Sequence, residues 1–178
     1  MKIILIVLSF VLMLFSQEME DTEMSNFIIS SKAFTNKSNI PVEYSCEGSD
    51  QSPPLSWINS PENTKSFALT CVDPDAPMGD WVHWTIWNIP ADISELSSGI
   101  LNDEQKLFQQ GLNSWGKHGY GGPCPPRGHG LHRYFFKLYA LNVETIGLDS
   151  NSRIDTLLST IQGHIISTSE LMGTFERK

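Results

Sequence analysis

Positive charge is scarce in this sequence. Lys and Arg number 12 against 20 Asp and Glu, which leaves 178 residues with a formal charge of −8. No basic stripe is available to neutralise phosphates, so nucleic acid is excluded as a partner class. Electrostatic adhesion to anionic membranes is excluded for the same reason. Cysteine is also sparse. Cys46, Cys71 and Cys124 are an odd number and cannot form a fully paired framework. Cys71 sits inside SFALTCVD and reads as a small core residue. Cys46 and Cys124 both lie in loop-like sequence, so one disulfide between them is open to the chain in an oxidising compartment. There are no internal repeats, low-complexity tracts or domain linkers. The longest apolar run, IILIVLSFVLMLF, spans ~20 Å at about 1.5 Å per residue, short of the ~30 Å hydrocarbon core. HExxH and the GxSxG elbow of a serine hydrolase are both missing.

What is present begins with a separate N-terminal segment. Lys2, the apolar run and the polar exit SQEMEDTEMSN describe a secretory leader or N-terminal anchor over residues 1–16, followed by a flexible tail at 17–26. Export to the periplasm or outside is the expectation. The remaining length, 27–178, suits one domain. A chain of this size buries roughly 70% of the surface its unfolded form exposes, so it needs no staples.

The domain reads as mainly β. FIIS (27–30), SFALTCVD (66–73), WVHWTIWNI (81–89) and HRYFFKLYALNV (132–143) are strand-like, and the third is apolar on both faces, as in a central strand. IPVEYSCEGSDQSPPLSW (40–57) and GYGGPCPPRGHG (119–130) are rich in proline, glycine and turn formers and read as loops. Residues 90–120 read as irregular, with a short strand available in LFQQGLNSWG. One helix is expected, capped by Ser152, with Ile154, Leu157, Leu158 and Ile161 at helical spacing and Gly163 as its stop. ELMGTFERK reads as a last short strand. Strands without alternating long helices point to an antiparallel β domain with a small helical appendage.

The unusual chemistry lies in two places. CVDPDAPMGDWVHW (71–84) packs Asp73, Asp75 and Asp80 among prolines, although acids this close repel. GPCPPRGHGLHRY (122–134) is the second. Trp81 and His83 share one strand face, as do His132 and Tyr134. If the two strands are neighbours, two histidines, a tyrosine and two carboxylates converge on one pocket. Asp80 reads as a solvated turn residue, and His118, His129 and His164 as ordinary surface or loop histidines. Trp57, Trp84, Trp87 and Trp115 read as packing residues. DPDAP also has an architectural reading, with Asp side chains bonding loop N–H groups. A cis bond at Ala76–Pro77 or Pro53–Pro54 is expected from the tight proline loops.

DPDAP, VHW and GPCPPRGHGLHRYFFKLYAL resemble the phosphatidylethanolamine-binding protein family, also called Raf kinase inhibitor-like. SPPLSW and GHIISTSELMGTFERK narrow the resemblance to its bacterial YbhB/YbcL branch. It covers residue 27 to the end. It implies a large central antiparallel sheet beside a smaller one, with short C-terminal helices. It also implies a small surface pocket for anions such as phosphate groups. The family's pocket residues fall on Asp73, Asp75, Trp81, His83, Gly122, Pro125, Pro126, His132 and Tyr134. Cys124 and His129 are departures within the pocket-forming loop.

The functional expectation is a non-enzymatic protein that binds a small phosphorylated or zwitterionic ligand, with no cofactor and no metal. A carboxylate near histidine favours imidazolium, which binds phosphate, so acids and a phosphate can share a site. One rival is inhibition of a protease or kinase through a protein surface. A remote rival is a hydrolase, using Asp73, Asp75, His83 and His132 around a metal or Cys124 beside His132.

Overall fold

The computed structural model describes residues 26–100 and 107–178. The expected leader and all but the last residue of the expected tail lie outside the described residues. Among the described residues, eight strands form two antiparallel sheets. β1 (Ile28–Ser30), β2 (Leu55–Ile58) and β5 (Glu95–Leu96) make the smaller, in the order β1-β2-β5. The larger contains β3 (Ser66–Asp73), β4 (Trp81–Pro90), β6 (Gln109–Gln110), β7 (His132–Leu141) and β8 (Ile165–Phe175), in the order β6-β4-β3-β7-β8. This is the two-sheet architecture that the family resemblance implies.

Among the described residues β3, rather than β4, is the middle strand, because β4 is flanked on its outer side by the two-residue β6 alone. The near-continuous burial of β3 follows from its two covered faces. On one side Phe67, Leu69 and Cys71 join Trp57, Trp84 and Phe136 in the main core between the sheets. On the other, Ala68 packs with Trp87, Tyr139, Leu157 and Ile161 under the helix α1 (Ile154–Ile161).

Several local expectations change. β2 arises inside the passage read as loop, because Leu55 and Trp57 alternate inward and pair with β1 and β5. β8 begins earlier than ELMGTFERK, at Ile165, because it pairs along the whole length of β7. The helix is capped by Arg153, not Ser152, and without a side-chain cap bond. Ser152 is held elsewhere, its N–H on the Asp149 carbonyl and its own carbonyl accepting from Leu112 N–H. Gly163 falls within a 3₁₀ turn (Gln162–His164) that continues from the helix. No peptide bond among the described residues is cis, so Ala76–Pro77 and Pro53–Pro54 are both trans. At 74–80 the reversal is made instead by Gly79, at φ +92°, donating to the Ala76 carbonyl at 3.0 Å.

Candidate functional site

The ends of β3 and β4 and the start of β7 meet at one edge of the large sheet. Asp73 closes β3 and pairs with Trp81, which opens β4. Val72 pairs with Phe135, so the same end of β3 adjoins His132 and Tyr134. Pairing of Cys71 with Trp84 but of Val72 with Val82 leaves His83 as the extra residue of a β-bulge. A cavity of about 290 Å³ opens here. Of the expected residues, Asp73, Trp81, His83, Pro125, Pro126 and His132 line it.

Asp75, Gly122 and Tyr134 do not line it. Asp75 turns outward and takes a bidentate bond from the Arg133 guanidinium, 2.7 and 2.8 Å, plus the Arg133 N–H at 3.0 Å. Arg133 holds the Asp75 carboxyl at about 2, below its ordinary 3.8. Gly122 is needed for close approach instead. Its N–H donates to Asp50 Oδ1 at 2.7 Å, and a Cβ there would meet the Tyr44 carbonyl at 2.3 Å. Tyr134 is fully buried and stacks edge-on against His83, ring centroids 5.0 Å apart. Burial, then the neighbouring Asp73 carboxylate, push its hydroxyl well above the usual range.

The two histidines are fixed differently. His83 is bracketed by Gly121, whose N–H donates to the His83 carbonyl at 2.9 Å and whose carbonyl accepts from His83 Nδ1 at 2.6 Å. That leaves Nε2 as the ring nitrogen without a proton in neutral His83. Burial holds His83 below its ordinary 6.5, partly offset by the Gly121 carbonyl and by Asp73. His132 places Nδ1 2.8 Å from Asp73 Oδ2. Both groups are buried. The other Asp73 oxygen accepts the Asp75 N–H at 2.8 Å, so this acid serves both the turn and the histidine.

Sequence reasoning missed part of the wall. Trp115, read as a packing residue, is 43% exposed and lines the cavity, with its ring 5.1 Å from His83 and 5.3 Å from Trp81. It sits in a turn organised by Asn113 Oδ1, which accepts from Trp115 and Lys117 N–H. Ala76, Pro77 and Met78 complete the rim. The signal for these was weak, since a tryptophan reads as core by default. His129, read as an ordinary loop residue, is exposed but places Nδ1 2.7 Å from His132 Nε2. Asp80 is exposed, as expected.

Cys124, also in the wall, is joined to Cys46, with Cα atoms 5.4 Å apart, and Cys71 is a free buried thiol. The bond ties the wall to the 3₁₀ turn at Val42–Tyr44 and its following loop. Glu47 in that loop accepts from Arg127 at 2.8 Å and Arg177 at 3.2 Å. With its sulfur so committed, Cys124 has no thiol to act as a nucleophile. Among the described residues, no three His, Cys, Asp or Glu side chains are grouped so as to hold a metal.

Comparison with known proteins agrees with this architecture. A protein of Aquifex aeolicus designated UPF0098 is 43% identical over 154 residues, covering 84% of this chain and 88% of its own. Escherichia coli YbcL is 44% identical over 140 residues, 76% of each chain. The crystal structure of YbcL, described as a new member of the mammalian PEBP family, matches with TM-score 0.81 at 38% identity, over 85% of this chain and 99% of that one. A PEBP homologue from Chlamydia trachomatis matches at 0.79 and 39% identity, over 86% and 99%. The phosphatidylethanolamine-binding protein profile matches residues 30–176. With that match and these identities, the chain belongs to the phosphatidylethanolamine-binding protein family.

Proposed function

We propose that this chain is a non-enzymatic binding protein whose cavity takes a small anionic group, a phosphate or a phospholipid head-group phosphate. The observation that carries the reading is the meeting of His83 and His132 at one cavity, with His132 oriented by the buried Asp73. Asp73 accepts from His132 Nδ1 and fixes the ring, so that Nε2 is the nitrogen left for an anion. A zwitterionic head group gains less support. Asp75 is taken by Arg133, and both Asp73 oxygens are already bonded, so among the described residues that line the cavity no free carboxylate is left for an ammonium.

Both rings use Nδ1 within the protein. A neutral ring then presents only an unprotonated Nε2. A fully ionised anion therefore needs a proton delivered to the site, whereas a partly protonated anion brings its own. Monoprotonated phosphate and monoesters meet this condition directly. The disulfide supports function in an oxidising compartment, in line with export.

Calorimetry with inorganic phosphate and phosphoethanolamine tests the reading. Binding by the native protein that is weakened tenfold or more in both His83→Ala and His132→Ala is the expected result. Undiminished binding in both variants would place the anion elsewhere.

A further inference from the structure

His129 belongs to none of the residues that carry the proposed pocket, yet its ring bonds to one of them, His132. His132 has two ring nitrogens. Nδ1 lies 2.8 Å from Asp73 Oδ2. Nε2 lies 2.7 Å from Nδ1 of His129, with ring centroids 4.9 Å apart. An ionised carboxylate only accepts, so His132 carries its proton on Nδ1. Neutral His132 then accepts at Nε2, and His129 donates from Nδ1. The polarity of the chain His129 to His132 to Asp73 is thereby set.

A ligand that bonds His132 must use Nε2, because Asp73 holds the other nitrogen. We propose that His129 is a displaceable stopper on His132, and that an anion binds by replacing it with the uptake of one proton. This rests on the anion-binding reading of the pocket. The proton goes to His132 Nε2, which becomes a donor to the anion oxygen, while His129 leaves with its own Nδ1 proton. One N–H bond forms, at His132 Nε2, and one bond breaks, in the hydronium ion or buffer acid that gives up the proton; no other covalent bond changes.

The loop permits such a movement. His129 stands between Gly128, at φ +75°, and Gly130, at φ +91°. A Cβ at either glycine would meet nothing within 4 Å, so this turn is not packed against the core. His129 itself is exposed, whereas His132 is 1% exposed. The stopper is the exposed partner of the contact and His132 the buried one. The other charged and titratable groups around the pair are Asp73 on β3, Asp75 in the next turn with its partner Arg133, His83 on β4, Tyr134 on β7, and, at the turn of His129 itself, Arg127 and Arg177, which share Glu47. Asp75 is already neutralised by Arg133, which leaves Asp73 as the acid that opposes the incoming proton's charge.

Sulfate is the probe, because it does not titrate near neutral pH. Calorimetry of the native protein in two buffers of different ionisation enthalpy should show uptake of about one proton per sulfate, and affinity should fall as pH rises. His129→Ala should bind sulfate about three- to tenfold more tightly, the range expected for release of one hydrogen bond. Equal or weaker binding by that variant, with sulfate still bound by the native protein, overturns the stopper and leaves the pocket reading intact. Sulfate bound by neither protein overturns the stopper, and the pocket reading falls with it only if phosphate is not bound either. An arm free of ligand uses ¹⁵N spectra of the imidazoles. His132 should be the Nδ1–H tautomer, with an Nε2 shift that moves in His129→Ala; an unmoved shift overturns the contact itself.

Discussion

Asp73 Oδ2 and His132 Nδ1 lie 2.8 Å apart, both groups buried at the edge of the large sheet. This pair accounts for one of the three acids crowded into CVDPDAPMGDWVHW. Its neighbour Asp75 is discharged by Arg133 and Asp80 is in solvent, so the three do not repel one another within one site. In Asp73→Asn the amide can keep the bond from Asp75 N–H, but it turns a donor toward a donor at His132. Stability should fall by about 1–3 kcal/mol, the cost of an unsatisfied buried group. Phosphate affinity should fall at least tenfold. Denaturant titration and calorimetry read the two effects.

Asp75→Asn should act differently. Asp75 does not line the cavity, so phosphate affinity should stay within about twofold, converted at about 1.4 kcal/mol per decade. What changes is acid stability. The Asp75 carboxyl is held at about 2 against an ordinary 3.8, so its contribution is complete above the unfolded value and is lost as pH falls toward 2. Thermal melts between pH 4 and 2 should show a shallower acid limb in the variant than in the native protein.

His83 predicts an opposite group type with the same direction. Burial holds it below its ordinary 6.5, so the unfolded chain takes up a proton that the folded chain refuses. Stability should therefore fall as pH drops below about 6.5 and level off below the folded value. His83→Gln should show a smaller decline in Tm between pH 7.5 and 5.

Gly122→Ala should cost about 1–3 kcal/mol, the usual penalty of overpacking. Its new Cβ would lie 2.3 Å from the Tyr44 carbonyl, 2.7 Å from Asp50 Oδ1 and 2.9 Å from Ser45 Cα, and backbone atoms cannot swing aside. A Cm unchanged from the native protein would refute this account of the position.

Replacing Cys46 and Cys124 together by serine should lower stability by about 2–4 kcal/mol, since the bond closes a sequence separation of 78. Cys124 also forms part of the cavity wall, so phosphate affinity should fall as well. Hydrogen exchange across 122–126 should be faster in the double variant if the bond holds the wall in place.

The sequence by itself determined the long strands β3, β4 and β7 and the family. SFALTCVD matches β3 from Ser66 to Asp73, because an apolar β-branched run ending in Asp-Pro has one reading. DPDAP, VHW and HRY located the candidate site by residue type and spacing. Only the tertiary structure decided which of those residues share the cavity. Asp73 and Asp75 are two residues apart and look equivalent, yet one faces His132 and the other Arg133. That division is made by the pairing of β3 with β7, a contact across 58 and 59 positions that no local pattern encodes. Trp115 and His129 were illegible for the same reason. Each reaches its partner through a turn, Asn113–Lys117 or Pro126–Gly130, whose placement depends on the sheet it rests against.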